Sequence, residues 1–340
     1  MRNDNNRWRL LRALLLGICV TLTAQAQLKL GHRSDPPVDE WSPETLLRDL
    51  SVPSSTSVQY DFIMTGRVRL LLFWAGADDV GGGYIRRGTR AHSPETRLIQ
   101  VLFGSDPSKA PRHLNYWGAA TEAIDSRSSI LFGFMKSTKA GSAAEAEARI
   151  RKQNDQQQYA FEGIVSEVDT QRAVSRVVPL LSTVDFNLHQ LEQAEHMIVE
   201  HLNKDESVRQ LSRVERKCES SRGFLQATDE LIAHALRGGE VPKSLCYVYN
   251  ARNYTATLED RGEMTSKTIR VRRKDGTKIE KTYPDVFRAQ FSTLNHQSGE
   301  RTTFELWLGT TGELRGVPVQ IVHQPNWWLQ VILNLDSTHL

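Results

Sequence analysis

Cysteine is scarce in this sequence, with three residues among 340. No two of them form a C-x-x-C pair, so neither a disulfide-dense miniprotein nor a cysteine-rich zinc site fits the chain. Long apolar runs are missing too. No segment reaches about 18 apolar residues, which argues against a transmembrane helix and for a chain that is not an integral membrane protein once a leader is removed.

An excess of one charge is also lacking. The chain has 43 basic and 40 acidic residues, and all of this small difference comes from residues 1–26, where four arginines accompany one aspartate. The remainder is formally neutral. Nucleic-acid binding requires a marked basic excess or face, because phosphate contacts supply most of its affinity. No nucleic-acid partner is therefore predicted.

The N-terminal 26 residues have the three parts of a secretory signal peptide. Four arginines precede an apolar run from Ala13 to Leu22, and Ala24-Gln25-Ala26 follows as an A-x-A cleavage site. This pattern predicts cleavage before Gln27 and a periplasmic or secreted protein.

The two remaining cysteines, Cys218 and Cys246, have 27 residues between them. In an oxidising compartment they could form a disulfide, which at this loop length would stabilise the fold by about 3 kcal/mol. The alternative is two separate buried thiols, since free cysteine is often part of a core.

Five segments follow from the pattern along the chain. They are a signal peptide at 1–26, a linker at 27–57, a β-rich part at 58–186, a helical segment at 187–240 and a second β-rich part at 241–340. Helices gathered between two groups of hairpin-linked strands predict an α+β fold, in which a large curved antiparallel sheet, or two sheets, packs against the helical segment.

One hairpin has a two-residue turn signal at Asp275-Gly276. If the loop has two residues, Arg270 lies directly opposite Lys281. Like charges in that position destabilise a strand pair, so the ribbon is expected to project into water or to meet an acidic partner.

Two motifs have a chemical and a structural interpretation. His196 and Glu200 are four residues apart and could share a metal ion, but the complete helical zinc signatures are absent and a solvated helix face is the simpler explanation. Asp78-Asp79 precedes three glycines, which suits a ligand loop, a tight turn or a bulge. A structural turn is the favoured interpretation there.

Trp327 and Trp328 begin the last predicted strand. Adjacent strand residues point to opposite faces, so one indole can be buried while the other lines a groove. These two tryptophans are the candidate ligand-binding residues, either stacking on a sugar or contacting an acyl chain.

The C-terminal third resembles an exported bacterial domain of unknown function. The resemblance is carried by residues 247–258 (YVYNARNYTATL), 304–308 (FELWL) and 317–321 (VPVQI), while 62–85 is similar to other uncharacterised exported bacterial proteins. That domain is similar to the lipoprotein-carrier (LolA/LolB-like) half-barrels, where a curved antiparallel sheet wraps helices and holds an acyl chain. The resemblance implies lipid handling by analogy of fold.

The function expected from the sequence is therefore non-catalytic binding of a lipid or another hydrophobic ligand in the cell envelope. No cofactor is predicted. A hydrolase of envelope or extracellular polymer, using a metal or acid–base residues, is the first alternative. A structural envelope component with a protein partner is the second.

Overall fold

The computed structural model describes residues 57–70, 73–90, 93–126, 128–136, 159–169, 173–204, 212–214, 222–250, 252–326 and 329–339. The predicted signal peptide, the predicted linker up to residue 56, Cys218, Trp327 and Trp328 lie outside these ranges.

Within the described ranges, fourteen strands form one sheet. They are β1 (Val58–Leu70), β2 (Phe73–Arg90), β3 (Ser93–Ser105), β4 (Trp117–Ile124), β5 (Ser128–Lys136), β6 (Tyr159–Asp169), β7 (Ala173–Ser182), β8 (Ser212–Arg213), β9 (Lys243–Tyr249), β10 (Arg252–Arg272), β11 (Lys278–Asn295), β12 (Arg301–Gly309), β13 (Pro318–Asn326) and β14 (Leu329–Leu335). Helix α1 (Leu191–Lys204) precedes β8 and helix α2 (Phe224–Leu236) follows it.

The predicted antiparallel sheet is confirmed, because every pair of neighbouring strands is antiparallel. Both β-rich parts belong to this one sheet. The predicted α+β class gives the helices too large a share of the fold. The described residues are mostly β, with fourteen strands and two α-helices. Several strands are long, since glycine-containing and charged stretches such as 73–90 and 252–272 continue the hydrogen-bond ladder.

The sheet curves until its two ends nearly meet. Its order runs from β8 back to β1, then through β14 down to β9. Ala173 at the β7 end, Val214 beside it and Val248 of β9 nevertheless share one buried cluster. The outer edge of β9 is also covered, since the Val248 N–H donates to the Arg222 carbonyl at 2.9 Å. The result is a nearly closed curved sheet with protected edges.

Side chains alternate between two covered faces of this sheet. Phe134 of β5 packs in the cluster that contains Leu191 of α1, whereas the neighbouring Met135 packs with Leu231 of α2. Helix α2 also contacts β4, β9 and β10, which belong to opposite halves of the sheet. We call the side that encloses α2 the inner face and the side under α1 the outer face.

The β10–β11 hairpin is long and bent. Its pairing shifts register at three places, and such bulges increase local bending. The tip reaches β2, where Asp78 Oδ2 accepts from the Arg272 N–H at 3.1 Å and Asp79 Oδ2 from the Lys274 N–H at 3.0 Å. The turn predicted at 78–83 is wrong, because these residues form a bulged part of β2. At Gly82 an added Cβ would lie 2.2 Å from the Phe62 carbonyl oxygen, so the close strand approach requires glycine.

The predicted register of this hairpin is wrong by one residue. Arg270 lies opposite Glu280, and the Nε and Oε1 atoms are 3.1 Å apart. The Arg273 N–H donates to the Thr277 carbonyl, and Gly276 has a φ of 87°. The loop therefore has three residues, with glycine in the left-handed region at its third position. The expected repulsion between Arg270 and Lys281 is replaced by a solvent-exposed ion pair.

Candidate functional site

A cavity of about 280 Å³ lies between the inner face of the sheet and α2. We call it the inner cavity. Most of its wall is aliphatic or aromatic, contributed by β2, β3, β4 and α2: Ile85, Ile99, Val101, Phe103, Ala120, Leu225 and Ile232. The period of two along β3 brings Ile99, Val101 and Phe103 to this side together. A largely apolar wall of this kind is suited to an apolar ligand.

Four aromatic rings form one side of the inner cavity. Phe224 at the start of α2 lies 5.6 Å from the Tyr247 ring and 5.2 Å from the Tyr249 ring. Tyr247 and Tyr254 face each other across the β9–β10 ladder and stack at 5.1 Å. Burial raises the pKa of Tyr247 well above its ordinary value, and the neighbouring Tyr254 raises it further. The Tyr247 phenol is therefore neutral and contributes an uncharged aromatic surface.

Polar groups are concentrated at the β11–β13 side of the inner cavity. Asn295 donates through Nδ2 to the Tyr254 hydroxyl at 3.2 Å. His323 donates through Nδ1 to the Thr303 carbonyl at 3.1 Å, since a carbonyl oxygen can only accept. Burial raises the pKa of Glu300 nearby, although Arg252 opposes this. The cavity thus has an apolar body and a polar end.

Helix α2 is anchored at its N-terminus by Glu122, a fully buried residue of β4. The carboxylate accepts from the Leu225 N–H at 2.6 Å, the Gln226 N–H at 3.2 Å and the Ser129 hydroxyl at 2.7 Å. It thereby satisfies donors that the first turn of a helix leaves unpaired. Burial raises the pKa of Glu122 to about 7, and these hydrogen bonds together with Arg97 limit the rise.

The exposed side of α2 is held by arginines from the sheet. Asp229 forms ion pairs with Arg97 and, at 3.6 Å, with Arg87. At the other end of α2, Arg261 Nε donates to the Ala235 carbonyl at 2.7 Å. Polar contacts at both ends and on one side therefore keep α2 over the inner cavity.

The predicted metal pair lies on α1, away from the inner cavity. His196 and Glu200 are both exposed. In the ranges that the structure describes, no group of three His, Cys, Asp or Glu side chains is placed to hold a metal ion. The metal site stays a prediction with no third ligand among these residues.

Of the other predicted site residues, the structure describes only Cys246. Trp327 and Trp328 lie outside the described residues, so their role in ligand binding stays a prediction. Cys246 is disulfide-bonded and half-buried in β9. Cys218 lies outside the described residues, and its pairing with Cys246 likewise stays a prediction.

Sequence reasoning missed the tyrosines and Glu122. Tyr247, Tyr249 and Tyr254 belong to the segment that resembles the exported domain, but they were not identified as cavity residues. The spacing of Tyr247 and Tyr249 was the available signal, because residues two apart on a strand share a face. No local signal exists for Glu122, whose partners on α2 are about a hundred residues away in sequence.

Comparison with protein-family models, with curated proteins and with solved structures finds no match to this chain. Among the described residues, no helix combines the length and apolar character needed to cross a membrane. The site must therefore be interpreted from its own geometry.

Proposed function

We propose that this protein binds a lipid or another hydrophobic ligand in the inner cavity, without chemistry on it. The observation that carries the proposal is the largely apolar cavity between a curved antiparallel sheet and a covering helix. Most of its wall is apolar, as at Ile85, Val101, Phe103 and Ile232. Asn295 and Glu300 lie at one end, and the Arg87–Asp229 ion pair lies beside α2. An amphipathic molecule with its polar group at that end fits this distribution.

The size of the cavity favours a single short chain. A volume of about 280 Å³ corresponds to about nine water-sized groups at about 30 Å³ each. That is enough for one acyl tail segment or a small ring system and too little for the paired tails of a phospholipid. The proposed ligand is therefore a single-chain lipid.

Ligand entry would involve α2, because this helix covers the cavity. The Asp229 ion pairs are partly exposed, with 51% of the Arg97 side chain accessible. Exposed ion pairs contribute little to stability, about 0–1 kcal/mol each. Local opening of α2 therefore requires little energy on that side, whereas the buried Glu122 keeps the N-terminal end in place. If residues 1–26 direct export, the ligand is met in the periplasm or the medium.

The first experiment is native mass spectrometry of the protein purified from a periplasmic extract, followed by the same sample denatured. We expect a mass excess that disappears on denaturation and matches a single-chain lipid. A bare polypeptide mass in the native spectrum, together with failure to bind added fatty acid, would overturn the proposal.

A pair of tryptophan variants on α2 locates the ligand. Thr228 lines the inner cavity, whereas Ala233 of the same helix does not. Thr228→Trp should fill the cavity and weaken binding of the fluorescent fatty acid parinaric acid at least tenfold, and Ala233→Trp should leave it within twofold. Circular dichroism checks that both variants fold. Equal binding by both variants would place the ligand elsewhere.

A further inference from the structure

A second and larger cavity, of about 810 Å³, lies on the other side of β2 and β3. Five stretches of chain build it: β1–β3, the loop 106–109 after β3, the segment 188–195 at the start of α1, the hairpin tip 273–275, and Asp336. We call it the outer cavity.

The two cavities share strands but open to opposite faces. Tyr84 and Arg86 of β2 line the outer cavity. Ile85 and Arg87, which alternate with them along the strand, line the inner cavity. Period-two alternation along the strand produces this separation. A variant on one face can therefore test one cavity without entering the other.

A buried amide forms part of the outer wall. Gln100 of β3 is 8% exposed, and its Oε1 accepts from the Tyr84 hydroxyl at 3.2 Å and from Arg86 Nη1 at 3.4 Å. The guanidinium also lies 4.9 Å from the centre of the Tyr84 ring. These contacts orient donors and acceptors before any ligand arrives.

A carboxylate with fixed orientation forms another part of the wall. Asp106 Oδ1 accepts from the Ser108 N–H at 2.9 Å and the Ser108 hydroxyl at 2.6 Å, and Oδ2 lies 3.1 Å from His189 Nε2. Burial raises the pKa of Asp106, but the hydrogen bonds from Ser108 and His189 outweigh it and hold the pKa below its usual value. Asp106 is therefore a charged acceptor at neutral pH.

Charges at the hairpin end of the outer cavity are interspersed and paired. Lys109 Nζ lies 3.1 Å from Asp79 Oδ1, whose second oxygen accepts from the Lys274 N–H. Arg273 pairs with Asp336. This end consequently presents both signs of charge with no region of a single sign.

At the α1 end, Glu195 lines the cavity beside Glu192. Burial raises the pKa of Glu195 to about 7, and the neighbouring Glu192 adds to the rise. Near neutral pH a large share of Glu195 is a carboxylic acid, which donates one hydrogen bond and accepts others.

We propose that the outer cavity binds a neutral, hydroxyl-rich ligand, an oligosaccharide. A ligand with net charge would meet groups of its own sign on one side or the other, and a purely apolar ligand would remove water from the polar groups of the wall without replacing those contacts. Sugar hydroxyls both donate and accept, and they match a wall that mixes carboxylates, an amide and guanidinium groups. The volume has room for about 27 water-sized groups, which suits more than one sugar ring.

Isothermal titration calorimetry of the purified protein tests this with chitotriose, cellotriose and maltotriose. We expect at least one of the three to bind with one molecule per chain. Glu195→Ala and Gln100→Ala should each weaken that binding at least tenfold. Glu195→Ala removes a carboxyl that burial disfavours, so this variant is expected to fold even where Gln100→Ala does not.

Two controls make the result specific. Glu200→Ala, on the exposed side of the same helix, should bind the sugar as the unmodified protein does, and so should Thr228→Trp in the inner cavity. The proposal is overturned if none of the three sugars binds, if Glu195→Ala binds unchanged, or if trigalacturonate, a charged probe, binds more tightly than every neutral one.

Discussion

Gly223 occupies a position where even one methyl group has no room. An added Cβ would lie 2.0 Å from Glu122 Oε1 and 2.1 Å from Ser129 Oγ. The glycine immediately before α2 thus allows the buried carboxylate to approach the helix N-terminus, where its charge and its acceptor oxygens stabilise the first turn.

We expect Gly223→Ala to lower the free energy of unfolding by about 1–3 kcal/mol, because overpacking forces the carboxylate out of position. Urea denaturation measures this. Gly262→Ala is the matched control, since its nearest contact for an added Cβ is 3.5 Å, and it should change stability by less than about 0.5 kcal/mol. Equal losses for the two variants would contradict the argument.

The raised pKa of Glu122 predicts a particular pH dependence. Between its ordinary value of 4.5 and about 7, the folded state keeps a proton that the unfolded state has released. Stability from this group is therefore present below pH 4.5 and is lost as the pH rises towards 7, by about 3 kcal/mol at about 1.4 kcal/mol per pKa unit.

The measurement compares unfolding free energies of the unmodified protein and Glu122→Gln from pH 4.5 to 7.5. Glu195 has a similarly raised pKa and contributes to both curves, so the difference isolates Glu122. The unmodified protein should lose more stability over this range. Parallel curves would show that Glu122 stays ionised in the fold.

Among the elements, the β10–β11 hairpin depends on contacts far from it in sequence. Asp79 of β2 has a φ of 51° and joins Lys109 to the Lys274 N–H at the hairpin tip. One carboxylate thus connects the bulge of β2 to an arm almost 200 residues later.

Asp79→Ala should weaken the attachment of the β10–β11 hairpin tip to β2. We expect amide hydrogen exchange at residues 271–279 to accelerate at least tenfold and the free energy of unfolding to fall by about 2 kcal/mol, since a charged hydrogen bond to the backbone is lost. Glu263→Ala, at an exposed position in the same hairpin, is the control. Unchanged exchange at the tip would show that its other contacts, such as that of the Arg272 N–H with Asp78, hold the arm without Asp79.

The sequence predicted the two β-rich parts and their antiparallel pairing, because alternating apolar residues and turn signals are local patterns. It located the Asp275-Gly276 turn but not its register, since the conformation of Gly276 adds one residue to the loop. It assigned residues 78–83 to a turn, although glycine serves there for close approach between strands. Local pattern does not distinguish these two uses of glycine.

At the scale of the whole molecule, neither cavity could be predicted from the sequence. The wall that contains Ile85 also contains Leu225 and Phe304, and only the curvature of the sheet brings them together. The pKa shift of Glu195 has the same origin, because its burial depends on packing against β2 and β3. Tertiary closure, rather than any motif, creates both sites.

The single sheet predicts one cooperative unfolding transition. β1 pairs with β14 along seven residue pairs, so the N-terminal and C-terminal strands share one ladder. Urea curves from far-ultraviolet circular dichroism and from tryptophan fluorescence should therefore superimpose. A plateau in which only one half has unfolded would contradict this expectation.

The pairing of β1 with β14 also determines when the fold can be completed. β1 can pair with β2 as soon as β2 has been synthesised. The other edge of β1 has no partner until β14 has been synthesised. During that delay the edge is an open template for other extended chains. We therefore expect a nascent copy of this protein to be most prone to aggregation between the synthesis of β1 and that of β14.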